Sequence, residues 1–241
     1  DPAGGMIVRH RDGTPTGVLL EGAMNLVQER IPGPTPAQVA EAIREALPIV
    51  HRTGLTGVHS HGGADLLGAL QTLHGRGELS LRVLASIPME SLDAALALGV
   101  QSGLGDDRLR IGHVKMFMDG ALGPRTALML AGYEESPDEH GIAAHAPEEI
   151  LAAVRRANAG GLACAVHAIG DRANREILDI YARVRDELAA GGPAPWRPLR
   201  NRIEHVQLLH PDDVARLGRM GIVASMQPIH ATSDMLIADR H

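Results

Sequence analysis

"GHVKMFMDGALGPRT", residues 112–126, runs an apolar stretch into a glycine-bearing loop and holds the only lysine in the chain; every other position among the 23 Lys and Arg residues is arginine. If the stretch is a strand, side chains alternate, so Lys115, Phe117 and Asp119 fall on one face and Val114, Met116 and Met118 on the other. The methionine face suits packing beneath helices, which turns Lys115 toward the interior or mouth of a helix-covered sheet. The surrounding sequence supplies such a sheet. Apolar runs at about 55–60, 80–87, 110–118, 162–168, 201–207 and 221–226 alternate with helical patterns at about 64–76, 91–101, 147–159, 172–190 and 211–219. Alternating strand and helix means parallel strands joined by crossovers. With no glycine-rich phosphate fingerprint after the first strand, a barrel is favoured over a dinucleotide fold. The expected class is α/β, a partial (β/α)8 TIM barrel.

Ahead of the barrel pattern, residues 6–20, "MIVRHRDGTPTGVLL", read as two short strands around an Asp-Gly turn, an antiparallel hairpin. After a proline-rich break, "GPTPAQVAEAIREALPIVHRTG" has a threonine cap, Pro36 early in the helix and apolar spacings of three and four. The chain therefore divides into a hairpin and linker (1–35) and βα repeats (36–241), within one domain.

With 241 residues and 44% hydrophobic content, the chain can bury a sizeable core. A formal net charge of −6 with scattered arginines argues against nucleic acid as a partner. No apolar stretch approaches the roughly 20 residues of a membrane span, so no membrane partner is expected. The single cysteine, Cys164 in "GLACAVHAIG", rules out a disulfide framework and reads as a buried small hydrophobe. A reducing, cytoplasmic setting fits best. The partner expected is a small-molecule substrate, and a homodimer is compatible with the sequence.

Polar residues recur at the C-terminal ends of the strand runs: His59 and His61, Lys115 and Asp119, His167, His205, then Gln227 and His230. Barrel enzymes build their sites on that rim. His10, His51, His74, His140 and His210 fall in turns or helices and read as surface residues. Three jobs suit Lys115. It could be an ion-paired lysine, for instance with Asp119, although arginine serves that purpose at least as well. It could be a desolvated Schiff-base amine, as in a lyase. It could take up carbon dioxide and become an anionic carbamate able to bridge metal ions. Histidines at the ends of the next two strands favour the metal reading, because neutral imidazoles suit zinc and its relatives. A ligand-binding barrel without turnover is the non-enzymatic alternative.

"VKMFMDGALGPRTA", "AVHAIGDRAN", "RIEHVQLLHPDDVARLGRMGIVASMQPIHATSDM" and "GGMIVRHRDGTPTGVLLEGAMNLV" together resemble the amidohydrolase superfamily, specifically its amidohydrolase-3 branch of YtcJ-like metal-dependent hydrolases. The resemblance implies a barrel holding one or two divalent ions, zinc in the first instance. It marks Lys115 as a carbamate formed with carbon dioxide, and His167 and His205 as metal ligands. It also implies hydrolysis of non-peptide C–N bonds in an amide, formamide, carbamate or cyclic amide through a metal-bound hydroxide. Counting strands so that Lys115 lies on family strand 4 makes "GLTGVHSHGG" strand 2 and "GIVASMQP" strand 7. Family strand 1, with its histidine pair, and strand 8, with its aspartate, are then expected outside residues 1–241, and the 241-residue piece alone is expected to have little activity.

The remaining candidates are read from their places at the strand ends and in the loops after them, with the resemblance bearing on His230. Asp119 and His230 are read as catalytic, and Arg125, Asp171 and His59 as substrate contacts. Asp171 immediately precedes a helix, and its plain role is as that helix's N-cap. Glu204, next to His205, is expected on the opposite face, paired with Arg202 or Arg200.

Overall fold

The computed structural model describes residues 1–191 and 198–235. Strands β1 (Gly5–Arg9) and β2 (Pro15–Glu21) form the expected antiparallel hairpin. Its turn is set by Asp12, whose carboxylate accepts the Thr14 amide at 3.0 Å, and by Gly13 at φ 87°. A 3-10 turn (Gly22–Met24) and the short α1 (Asn25–Gln28) follow. Helix α2 (Pro36–Arg52) starts as its sequence dictates. Thr35 accepts the Gln38 amide, the Gln38 side chain returns to the Thr35 amide, and Pro36 takes the first turn, where no N–H is needed.

The βα repeats then run β3 (Gly57–Ser60), α3 (Ala64–Gly75), β4 (Arg82–Pro88), α4 (Leu92–Ala97), β5 (Leu109–Phe117), α5 (Pro147–Ala159), β6 (Ala163–Ala168), α6 (Asp171–Ala189), β7 (Arg202–His205), α7 (Pro211–Met220), β8 (Val223–Ser225) and a terminal turn, α8 (His230–Ser233). All six strands are parallel, in the order β3-β4-β5-β6-β7-β8. Arg202 on β7 touches His59 on β3, four strands away in that order, so the sheet curls. Among the described residues β3 and β8 do not pair, and the curl stays open. The result is a partial (β/α)8 barrel preceded by a hairpin.

Val114, Met116 and Met118 are buried in the layer between sheet and helices, with Ile150 and Val154 of α5 and Ile177 and Leu178 of α6. That is the packing the methionine face called for. Lys115 is thereby committed to the interior, where it is 7% exposed.

Two local expectations are corrected. The strand expected over 201–207 stops at His205, because His205 (φ 75°) and Val206 (φ 49°) are left-handed and break the pleat. The N-cap of α6 is Gly170 rather than Asp171, which occupies the first helical position.

Candidate functional site

Lys115 lies low in the mouth of the curl. Its ammonium donates to the Met116 carbonyl at 3.1 Å and sits 3.6 Å above the Phe117 ring. Burial lowers its pKa to about 8, against the opposing pull of the Glu204 carboxylate. Asp119 does not pair with it. β5 ends at Phe117, and the Asp119 carboxylate turns instead to three backbone amides: Leu128 at 2.9 Å, Ile169 at 3.0 Å and Gly170 at 2.8 Å. Burial raises its pKa to about 7, with those amides pulling the other way.

His167 stands at the end of β6, opposite Phe117 in register. Its Nε2–H donates to the Gly120 carbonyl at 2.7 Å, and Asp119 Oδ1 lies 3.5 Å from the same nitrogen. Burial holds the ring neutral, with a pKa of about 4. His205 reaches the same mouth by a different route. Strand alternation would send Glu204 and His205 to opposite faces, but the left-handed backbone at His205 and Val206 swings the imidazole inward. Its ring meets that of His167 edge-on, centroids 4.6 Å apart. The Nδ1–H of His205 donates to Gln227 Oε1 at 2.6 Å, and burial lowers its pKa. His230 follows, 5.8 Å from His205 between ring centroids, with Nδ1 held by Asp234 at 2.6 Å.

The other candidates lie apart from this trio. His59 is in the lumen, where Arg202 donates to its Nδ1, and its pKa is lowered by burial and then by that arginine. Arg125 is tied to Glu135 at 2.6 Å and Ser136 at 3.0 Å in the loop after β5. Asp171 accepts the Leu130 amide at 2.8 Å.

Glu204 corrects the alternation argument a second way. It does pair with Arg202, but both project into the lumen, where each is buried, rather than away from it. Ser225 also bonds to Glu204. His61 lies 3.8 Å from Glu204 and bonds Ser86 at 3.0 Å, and its pKa falls to about 4 through burial. His113, two residues before Lys115 and on its face, is likewise buried, with its pKa lowered to about 4 by burial. Counting back by two from Lys115 would have found it. Cys164 is fully buried, its thiol pushed far above the usual range, so it packs rather than reacts.

Metal-binding histidines characteristically donate their second ring N–H to a carbonyl or carboxylate, which frees the other nitrogen as a donor lone pair. His167 and His205 both do so, to Gly120 and Gln227. In this respect the pair fits a divalent ion. Among the described residues, however, no group of three or more His, Cys, Asp or Glu gathers around a point that could hold one.

The amidohydrolase family model matches residues 1–241. The chain belongs to the amidohydrolase family. Similar proteins include Protein LONG AFTER FAR-RED 3 of Arabidopsis thaliana, 35% identical over 97% of this chain and 41% of that protein. Another is the putative amidohydrolase YtcJ of Bacillus subtilis (strain 168), 31% identical over 97% of this chain and 43% of that protein. An uncharacterized metal-dependent hydrolase from Pyrococcus furiosus superposes with a TM-score of 0.79 at 30% identity, over 95% of this chain and 46% of that one. This amidohydrolase-family chain thus spans less than half the length of these relatives. No described helix is long and apolar enough to cross a membrane.

Proposed function

We propose that this amidohydrolase-family chain contributes the Lys115, His167 and His205 side of a metal-dependent site that hydrolyses non-peptide C–N bonds in an amide, formamide, carbamate or cyclic amide. The observation that carries the reading is the pair of neutral imidazoles, 4.6 Å apart, each with one N–H committed to a carbonyl. A divalent ion such as zinc, when bound there, supplies Lewis acidity toward the substrate carbonyl and lowers the pKa of water toward neutrality.

The chain's own residues prepare that chemistry. At pH 7 an amine with a pKa of about 8 is about 10% neutral, whereas one near 10.4 is well under 0.1% neutral. Only the neutral amine can add to carbon dioxide, forming an N–C bond and releasing one proton. Lys115 is therefore primed to become the two-oxygen anion that the histidine pair lacks. The same primed amine supports the second reading, a Schiff-base lyase. Beside His205, a cavity of about 340 Å³ lined by Leu122, Gln207, Met226, His230 and Asp234 suits a small-molecule substrate, with His230 as a contact to it. Asp119, its oxygens engaged by three amides, acts on catalysis by fixing the loops that carry the mouth. Its proposed role is to orient, as are those of Arg125, Asp171 and His59.

The test is metal content and intact mass of the full-length protein beside its Lys115→Ala variant, both purified with zinc and bicarbonate. Zinc together with a carbon dioxide adduct, both lost in the variant, is the expected result. Zinc occupancy that the variant leaves unchanged would remove the carbamate. A borohydride-trapped adduct with a carbonyl compound, without zinc, would establish the lyase reading instead.

A further inference from the structure

Glu21 closes the hairpin in a backbone conformation that residues with a Cβ seldom adopt, φ 49° and ψ −129°. Such strain persists only where surrounding contacts hold it, and it tends to gather at working sites. The contact here is long-range. Thr126, 105 residues away, donates its hydroxyl to Glu21 Oε1 at 2.6 Å. With its proton committed to Glu21, the Thr126 oxygen presents lone pairs to the Ala121 amide, which donates to it at 2.9 Å.

That amide belongs to the peptide unit whose carbonyl is that of Gly120. The unit is planar, so fixing its N–H fixes its C=O. The Gly120 carbonyl is the acceptor for His167 Nε2–H at 2.7 Å. An unbroken line of donors and acceptors therefore runs from the hairpin carboxylate to the imidazole. The line is closely packed, since a Cβ on Gly120 would lie 2.1 Å from Thr126 Oγ1 and 2.2 Å from Glu21 Oε1. Without Glu21 the hydroxyl has another acceptor nearby, the Ala121 carbonyl at 3.4 Å. Turning to it would withdraw a lone pair from the Ala121 amide.

We infer that Glu21 is a positioning residue: through Thr126 and the Gly120–Ala121 peptide it holds His167 in the Nε2–H tautomer, leaving Nδ1 as the free lone pair. The hairpin is thereby part of the site rather than an appendage to the barrel. The inference depends on the proposed hydrolase only for the use made of that lone pair, and its test needs neither metal nor turnover.

The experiment is a long-range proton–nitrogen correlation spectrum of the histidine-labelled full-length protein, with His167 assigned through His167→Gln. Wild type should show His167 as one tautomer, protonated on Nε2. Glu21→Ala should shift its two ring-nitrogen resonances toward each other, the signature of a tautomer mixture, while His205 stays unchanged. Glu21→Gln, which keeps an acceptor oxygen, should restore the wild-type pattern. If Glu21→Ala does not fold, the near-isosteric Thr126→Val gives the same reading. A pure Nε2–H tautomer in a folded Glu21→Ala or Thr126→Val protein would overturn the inference. Loss of folding in both would overturn it as well, since the contacts would then be structural. Either failure leaves the hydrolase reading to its own test by zinc and carbon dioxide.

Discussion

His167 and His205 meet edge-on, ring planes at 71° and centroids 4.6 Å apart, although their strands end in different backbone conformations. Each has one ring nitrogen tied to a carbonyl oxygen, so each presents the other as an acceptor.

For His205 that tie is Gln227 Oε1, whose own amide is anchored on the Ser225 carbonyl at 3.0 Å. Gln227→Leu removes the acceptor and frees the ring to rotate. Zinc affinity, read by competition with a chelating dye, should fall ~10–100-fold. Unchanged affinity would mean that His205 does not depend on Gln227 for its orientation.

The lumen ion pair should behave as a buried charge does. Arg202→Met strands the Glu204 carboxylate and should cost about 3–5 kcal/mol in urea denaturation, while the double variant Arg202→Met, Glu204→Leu should recover most of it. A double variant no more stable than the single one would show that the cost lies in lost arginine packing rather than in the orphaned charge.

Gly120 lies where the hairpin, the β5 loop and His167 converge. Gly120→Ala places a methyl group against Thr126 and Glu21 and should cost about 1–3 kcal/mol as overpacking. Gly63→Ala, where an added Cβ meets nothing within 4 Å, is the comparison and should be close to neutral.

Helices α5 and α6 are joined by Glu187, which takes two bonds from Arg155 and one from Arg183. The Arg155 bond leads in lowering the Glu187 pKa from 4.5 to about 2. A carboxylate with a depressed folded pKa stabilises above its unfolded pKa, and the benefit disappears as pH falls through the folded one. The difference in melting temperature between wild type and Glu187→Gln should therefore be constant above about pH 5 and close toward pH 2. A gap independent of pH would remove the ion pair as its source.

Sequence alone determined the alternation of strands and helices, the hairpin with its Asp12-Gly13 turn, the Thr35 cap, and the burial of Lys115 opposite a methionine face. These depend on short-range periodicity and local capping, which neighbouring residues settle among themselves. The strand-end rule also put Lys115 and His167 at one mouth. Tertiary structure alone decided the rest. Period-two reasoning assumes an unbroken pleat, and the left-handed turn at His205 and Val206 brought Glu204 and His205 to the same interior. The curl of the sheet put Arg202 against His59, 143 residues away. Glu21 reached Thr126 because the hairpin docks on the loop after β5, where Gly4 lies against the Ala144 carbonyl. No pattern along the chain encodes these contacts, because each depends on where the backbone goes after the strand has ended.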